Sequence, residues 1–254
     1  MAARRVKGDE KKPRRRAKVL VIDVGGTNVK ILMTGKREPR KVPSGPEMTA
    51  SGMVAAVQQL AADWSYDVIS LGYPGAVLGG RPAAEPKNLS DGWVRFDFAK
   101  AFGRPVKVIN DAAMQALGSY EDGRMLFLGL GTGLGSALIT DGVLVPMELA
   151  HLRYRKDRTY EDYVGLRGFK RYGKKIWRRY VADVVAALRD ALQADSVVLG
   201  GGNAKKLKRL PERVRLGDNT HAFLGGFRLW EGAWRDERPA CVVRKSRQGD
   251  GRGS

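Results

Sequence analysis

The chain shows its first clear pattern in the segment Val19-Leu-Val-Ile-Asp-Val-Gly-Gly-Thr-Asn-Val-Lys30. An apolar run carries Asp23 near its end, enters a Gly-Gly-Thr turn and returns in a second apolar run, which predicts a β-hairpin. Glycines let a backbone approach a ligand closely, and the exposed N–H groups of such a turn suit phosphate oxygens. Asp23 could hold hydrated Mg²⁺, which usually binds through one or two carboxylates and substrate phosphate. The alternative is an ordinary glycine hairpin with a polar strand end.

A second glycine cluster, between Met125 and Ile139, repeats this plan. An apolar strand enters a loop and a second strand leaves it; the loop residues are Gly129, Gly131, Thr132, Gly133 and Gly135. The loop lacks the Gly-Lys-Ser/Thr ending of a P-loop, and its exit is typical of a strand rather than of the helix in a dinucleotide fingerprint. Two such hairpins predict two similar subdomains that face a common phosphate.

Further motifs follow in a fixed order along the chain. They are Asp23-Val-Gly-Gly-Thr-Asn-Val-Lys30, Gly72-Tyr-Pro-Gly75, Asn88-Leu89, Asn110-Asp111, Leu130-Gly-Thr-Gly-Leu-Gly135, Glu148-Leu-Ala-His151 and Leu199-Gly-Gly-Gly202. With this ordered set the chain resembles the ROK family (repressors, open reading frames, kinases), and within it the polyphosphate glucokinase branch. The resemblance covers roughly 19–230. It implies an actin-like, ribonuclease-H-like fold of two α/β lobes, and the alternation of strands and helices also predicts an α/β protein.

The predicted domain organisation has a small lobe over 18–109, joined by a C-terminal helix at 222–232, and a large lobe over 110–221. Disordered basic tails are expected at 1–17 and 235–254. A helix is predicted over 50–64, with Met53, Val57, Leu60 and Trp64 on its core face. A basic helical region is predicted over 160–194; its apolar face is expected to hold Ile176, Tyr180, Val184, Leu188 and Leu192.

Asp111 is the predicted general base. It follows a short apolar strand, and a rigidly held carboxylate can accept the proton of a sugar hydroxyl as a phosphorus–oxygen bond forms. The alternative is that Asn110 or Asp111 only caps the next helix, since both are good N-cap residues.

The resemblance also implies the acceptor and donor sites. Sugar-binding residues would be Gly75, Asn88, Asn110, Asp111, Glu148 and His151, with Glu161 as a third acidic ligand or, equally, a surface residue. Donor-binding residues would be Asp23, Gly25, Gly26, Thr27, Lys30, Gly131, Thr132, Gly133, Gly201 and Gly202. One departure is Ala150, which stands where the family usually has Gly; an Ala there would strain the turn before His151 if the φ angle were positive. Mg²⁺ is the expected cofactor, and no zinc is expected because the cysteine-rich motif found after the His in many ATP-using members is missing.

Composition fits a cytoplasmic protein. The single Cys241 cannot form an intrachain disulfide, and no apolar run approaches the roughly 18 residues of a membrane span. The formal net charge is +19, and much of the excess outside the tails lies in two segments. Segment 153–179 has eleven basic and three acidic residues, and segment 205–215 has six and one. A surface with so many basic residues favours binding of a polyanionic partner. Inorganic polyphosphate, nucleic acid and a solvated face with no specific partner remain open.

The resulting functional prediction is transfer of a phosphoryl group from polyphosphate to the 6-hydroxyl of glucose or a related hexose, by a homodimeric enzyme. The alternative is an ATP-dependent hexose kinase of the same family. A sugar-sensing regulator is disfavoured, because a helix-turn-helix domain would be needed ahead of the first strand, whereas only about 17 residues precede it and these are rich in charge and lack an apolar helical face.

Overall fold

The computed structural model describes residues 16–218 and 220–231. The tails predicted at 1–17 and 235–254 lie almost wholly outside this part of the chain. The described strands and helices, in chain order, are β1 (Val19–Val24), β2 (Asn28–Met33), β3 (Arg40–Pro43), α1 (Ala50–Leu60), β4 (Val68–Tyr73), β5 (Val77–Leu78), β6 (Arg81–Pro82), α2 (Phe98–Phe102), β7 (Val106–Asn110), α3 (Asp111–Ser119), β8 (Arg124–Leu130), β9 (Leu134–Thr140), β10 (Val143–Met147), β11 (Arg153–Arg155), β12 (Arg158–Thr159), α4 (Tyr160–Val164), α5 (Leu166–Ala191), β13 (Ser196–Gly200), β14 (Val214–Leu216) and α6 (His221–Arg228), with a 3₁₀ helix at Ala204–Lys206.

The two large sheets have the same topology. The first has the strand order β3-β2-β1-β4-β7 and the second has the order β10-β9-β8-β13-β14. In each sheet three antiparallel strands are followed by two parallel ones. The predicted duplication of the strand–glycine–strand hairpin is therefore confirmed, and so is the α/β class.

Each sheet is covered on both faces, and alternate residues of β1 show how. Leu20 and Ile22 pack in a core with the outer helices α1 and α2. Val19 and Val21 point the other way and pack against α3 and α6. In the second sheet the outer face packs on α5, and the inner face packs on α3. Helices α3 and α6 consequently lie in a central layer between the two sheets.

Two glycines allow α3 and α6 to approach closely. A Cβ on Gly118 would lie 1.8 Å from the carbonyl oxygen of His221, and a Cβ on Gly225 would lie 1.8 Å from that of Met114. Neither distance is compatible with a side chain. The central layer therefore requires a residue without a Cβ at both positions.

Two predictions need correction. Helix α1 ends at Leu60 rather than at residue 64, although Met53, Val57 and Trp64 are buried as expected. The region predicted over 160–194 is two helices, and within α5 Gly173 leaves the helical conformation with φ 70°.

The residues of α5 that face the core also differ from the prediction. Ile176 is 45% exposed, whereas Trp177 and Val181 are buried. The prediction of Ile176 as a core residue was wrong because it placed apolar residues every four positions, whereas a helical face repeats every 3.6 residues, so that by Ile176 the predicted face has rotated away from the buried one. Val184 and Leu188 are buried as expected. None of the helices described is long and apolar enough to pass through a membrane.

Candidate active site

The register of the first sheet brings the ends of three parallel strands together. Asp23 pairs with Gly72, and Gly72 in turn pairs with Ile109. One position further along, Tyr73 pairs with Asn110, and α3 begins at Asp111. Asp23 and Asp111 thus lie at the same edge of the sheet, where the carboxyl ends of parallel strands commonly form ligand sites.

The carboxyl groups of Asp23 and Asp111 influence each other. The pKa of Asp111 is raised to about 7, chiefly because burial disfavours the charged form and secondly because of the negative charge of Asp23. Burial also raises the pKa of Asp23, against the opposing charge of Lys30, whose Nζ lies 4.0 Å from Asp23 Oδ2. Asp111 Oδ1 accepts a hydrogen bond from the backbone N–H of Ala112 at 2.8 Å. Such a carboxyl group can exchange a proton near neutral pH.

Asn110, rather than Asp111, caps α3. Its Oδ1 accepts from the N–H of Ala113 at 3.1 Å, and its Nδ2 donates to the carbonyl oxygen of Gly75 at 3.0 Å. The capping alternative thus applies to Asn110 and leaves the carboxylate of Asp111 for other chemistry. Asn110 also fixes the Gly75 loop, and a hydrogen bond from its side chain partly offsets the rise in the pKa of Asp111.

The first hairpin turn uses part of its backbone internally. The N–H of Gly25 donates to the carbonyl oxygen of Asn28 at 3.0 Å. Within the described part of the chain, the N–H groups of Gly26 and Thr27 have no protein acceptor. A Cβ on Gly26 would lie 2.9 Å from the Cβ of Asn88, so this predicted sugar ligand lies directly against the turn.

The second hairpin turn is built in the same way. The N–H of Gly131 donates to the carbonyl oxygen of Gly133 at 3.1 Å, while in the described structure the N–H groups of Thr132 and Gly133 have no protein acceptor. A Cβ on Gly135 would lie 2.7 Å from that of Ala112, which places this hairpin against the first turn of α3. Both turns therefore border the end of α3 that carries Asp111.

A third loop, Gly200–Gly202, supports the second hairpin from the side. Gly201 has φ 80°, and a Cβ there would lie 2.5 Å from the carbonyl oxygen of Leu130. The next residue but one, Asn203, donates from Nδ2 to the carbonyl oxygen of Gly131 at 2.8 Å. Asn203 was not among the residues predicted from the sequence; its position directly after three glycines was the available signal.

Glu148 and His151 lie on one side of a turn. His151 Nε2 is 3.9 Å from Glu148 Oε1, and both side chains are well exposed. Ala150 is not among the described residues with positive φ, so the strain considered for the turn does not arise. Ala150 is buried, and its carbonyl oxygen accepts from the N–H of Glu161 at 3.0 Å. This bond connects the turn to α4.

Glu161 lies at the second hairpin, and the alternative of a surface role is wrong. Its side chain is 15% exposed, and Oε2 accepts from the N–H of Leu134 at 3.3 Å. A Cβ on Gly133 would lie 2.1 Å from that same oxygen. The other carboxylate oxygen, Oε1, is 3.5 Å from Nη2 of Arg167.

The basic surface of α5 lies close to this hairpin. The N–H of Leu166, at the start of α5, donates to the carbonyl oxygen of Thr132 at 3.1 Å. The exposed basic side chains on the following turns are Lys170, Arg171, Lys174, Lys175 and Arg179. Arg178 differs from them, since its guanidinium is half-buried and its Nε donates to the carbonyl oxygen of Lys206 at 2.7 Å. It is therefore engaged in structure rather than free for a ligand.

The duplicated sheets, with two helices between them, place this protein in the class of actin-like, two-lobed α/β folds. Within that class, the model of the ROK family matches residues 19–146. The chain belongs to the ROK family.

Two relatives and one solved structure show which members of the family the chain is similar to. The chain is 27% identical over 212 residues to a polyphosphate glucokinase of Mycobacterium leprae (strain TN), covering 74% of this chain and 64% of that protein. It is 29% identical over 213 residues to a polyphosphate glucokinase of Mycobacterium tuberculosis (strain CDC 1551 / Oshkosh), covering 73% and 77%. The chain thus spans just under two thirds of the first relative. The crystal structure of an inorganic polyphosphate/ATP-glucomannokinase from Arthrobacter sp. strain KM is 25% identical, with a TM-score of 0.73 over 85% of this chain and 98% of that one.

Proposed function

We propose that this protein is a sugar kinase that transfers a phosphoryl group from inorganic polyphosphate to the 6-hydroxyl of glucose or a related hexose. The names of its relatives support sugar phosphorylation and a polyphosphate donor. The observation that carries the proposal is the position of Asp111, at the start of α3 and between two glycine turns whose N–H groups lack an acceptor in the part of the chain that the structure describes.

The reaction follows from that position. The acceptor hydroxyl oxygen attacks the terminal phosphorus of the donor, and its proton passes to the carboxylate of Asp111. The bond from phosphorus to the bridging oxygen breaks, which leaves a donor shorter by one phosphate. The N–H groups of Gly26, Thr27, Thr132 and Gly133 would hold the phosphate oxygens from two sides. Phosphoryl transfer relies mainly on such positioning and on stabilisation of charge.

The acceptor would lie on the Asp111 side of these turns. Asn88, at the first turn, and Glu161, at the second, would reach it from opposite sides, and Glu148 with His151 would complete the set. Gly75 and Asn110 would shape the floor, because their mutual hydrogen bond fixes the loop. Carboxylate, amide and imidazole groups together can satisfy hydroxyls that both donate and accept.

Asp23 fits a role in binding Mg²⁺. Its carboxylate and that of Asp111 repel each other, and Lys30 at 4.0 Å is the cation near Asp23. The described residues contain no group of three or more acidic, His or Cys side chains that could hold a metal. Water and donor phosphate would therefore complete the coordination, as is usual for Mg²⁺. Bound there, the ion would offset negative charge on the donor.

The donor would approach along the basic surface of α5. This surface begins where Leu166 contacts the second turn, and its exposed Lys and Arg side chains could bind successive phosphates of a chain. A second candidate is an ATP-dependent kinase, and the Gly200–Gly202 loop favours it. A Cβ on Gly202 would have no described atom within 4 Å, so a nucleotide could approach the backbone there.

A donor and acceptor screen tests the proposal. Purified protein with Mg²⁺ would be given glucose, mannose or glucosamine together with polyphosphate or ATP, and sugar phosphate would be measured. We expect sugar-dependent consumption of polyphosphate, faster than that of ATP. Phosphorylation with ATP but with no length of polyphosphate would favour the second candidate. We also expect a homodimer, which sedimentation would detect as twice the mass of one chain.

A further inference from the structure

The carboxylate of Glu161 occupies an anion position on the second hairpin. Its Oε2 accepts the N–H of Leu134 at 3.3 Å and lies where a Cβ of Gly133 would point. The N–H groups of Thr132 and Gly133, the neighbouring positions on the turn, are those left without an acceptor among the described residues. A donor phosphate bound there would meet this carboxylate at close range, and two like charges at one site disfavour each other.

The same carboxylate is held so that it can move. The backbone of Glu161 is fixed by its N–H bond to the carbonyl oxygen of Ala150, but its side chain has three rotatable torsions. Among the described residues, the partner of its second oxygen is Arg167 at 3.5 Å, and the Arg167 side chain is 74% exposed, so this ion pair is weak. Ala150 precedes His151, so the fixed backbone of Glu161 borders the acceptor-side turn.

We propose that Glu161 is a gate on the donor turn. Without an acceptor, its carboxylate stands on the second hairpin and opposes binding of a donor phosphate; an acceptor sugar draws the carboxylate away and frees the turn. Donor binding, and with it loss of phosphate to water, would then depend on the sugar. This inference rests on the proposed function, and it adds that acceptor and donor binding are coupled through one side chain.

The test measures binding of inorganic tripolyphosphate with Mg²⁺ to sugar-free protein by calorimetry. Glu161→Gln keeps the shape and an acceptor for the N–H of Leu134 but removes the charge. We expect it to bind tripolyphosphate at least about tenfold more tightly than the wild type, or about 1.4 kcal/mol. Glucose should tighten binding to the wild type and have little effect on the variant. Glu161→Ala should change binding in the same direction.

Glu38→Gln is the matched control, since it removes one carboxylate charge from an exposed side chain in the segment between β2 and β3, outside the proposed donor and acceptor sites. It should bind tripolyphosphate as the wild type does when no sugar is present. Equal binding by wild type and Glu161→Gln, or equal tightening by both Gln variants, would overturn the gate. Calorimetry measures binding without turnover, so a negative result would count against the gate alone. The proposed function fails separately, if the wild type phosphorylates no sugar with any donor.

Discussion

Asp111 combines a fixed position with an unusual ionisation. Its place at the end of the sheet comes from the pairing of β4 with β7 and from the cap that Asn110 provides. Burial and the charge of Asp23 raise its pKa to about 7, so that at neutral pH the carboxylate can both hold and release a proton. The cost of burying two acidic groups is typical of a site where function rather than stability selects the residue.

The first prediction concerns pH. A general base must be ionised to accept a proton, and a raised pKa means that ionisation is lost at a higher pH than for an ordinary Asp. The value of kcat/KM should therefore fall about tenfold per pH unit below about pH 7, since this parameter reports the free enzyme. A pH–rate profile at saturating Mg²⁺ would measure it. A rate that stays flat down to about pH 5 would remove Asp111 as the titrating group.

Asp23, the two turns and Asp111 could be predicted from the sequence because each is encoded by a short local pattern of apolar residues, Gly and Asp. The contacts of Glu161 with Gly133, and of Asn203 with Gly131, could not. They join residues far apart in the chain, and no local spacing encodes them. The role of Asn110 as the cap rather than Asp111 also depended on the orientation of two neighbouring side chains, which a sequence pattern does not fix.

At the level of elements, the second hairpin is the most tightly constrained part of the site. Gly133 contacts Glu161, and Gly135 contacts the start of α3. The duplicated topology could be predicted because both hairpins carry the same pattern. The break at Gly173 could not, and the core face of α5 was misplaced at Ile176 because a four-residue spacing drifts from the 3.6-residue helical period.

The second prediction is that Gly133→Ala impairs donor use. The added Cβ would lie 2.1 Å from Glu161 Oε2, so either the side chain or the turn must move. We expect the KM for the donor, measured at saturating sugar so that the Glu161 carboxylate has already left the turn, to rise at least several-fold because the added methyl group lies on the turn that would bind the phosphate. Sugar binding should be affected less. Gly45→Ala is a suitable control, because a Cβ there has nothing within 4 Å. Unchanged donor kinetics in Gly133→Ala would contradict the assignment of this turn.

A cluster of tyrosines holds the β11–β12 hairpin, which connects His151 to Glu161. The ring of Tyr154 packs against those of Tyr160, Tyr163 and Tyr180, at centroid distances of 5.2, 5.0 and 6.3 Å. Its hydroxyl donates to Asp183. These contacts fix the path of the chain between two predicted sugar ligands.

The third prediction follows from this cluster. Tyr154→Ala should lower the free energy of unfolding by about 3 kcal/mol, since it removes a packed aromatic ring, and should raise the KM for the hexose. Tyr154→Phe keeps the ring and should lose about 1 kcal/mol or less. Chemical denaturation and steady-state kinetics would measure both effects. An Ala variant with normal stability and normal sugar KM would show that the hairpin does not depend on these rings.

For the whole molecule, the sheets and the central layer suggest how the site is assembled. We propose that the two sheets are the cores of the lobes predicted at 18–109, with the C-terminal helix, and at 110–221. Helix α6 supports this, because it packs on the first sheet and on α3 while following β14 of the second. Ser70 Oγ donates to the carbonyl oxygen of Gly226 at 2.6 Å and fixes α6 to β4.

The fourth prediction concerns the charged surface. Lys174→Gln/Lys175→Gln should raise the KM for long polyphosphate several-fold and leave that for ATP nearly unchanged, because a longer anion contacts more of α5. The effect should shrink at high salt, since exposed charges are screened over about 8 Å at physiological ionic strength. The control is Arg37→Gln/Lys41→Gln, which removes two exposed charges from β3 and the turn before it. Equal effects in both double variants would show that the basic surface of α5 attracts polyphosphate only through non-specific charge.

The proposed mechanism depends above all on Asp111 accepting the proton of the sugar hydroxyl during phosphoryl transfer. The most direct test compares hexose 6-phosphate formation by the wild type and by Asp111→Asn, with polyphosphate, glucose and Mg²⁺ at saturation, and measures glucose binding to both proteins. We expect Asp111→Asn to fold and to bind glucose, yet to lose at least about 10²-fold in kcat. A variant that turns over at a rate near that of the wild type would contradict it.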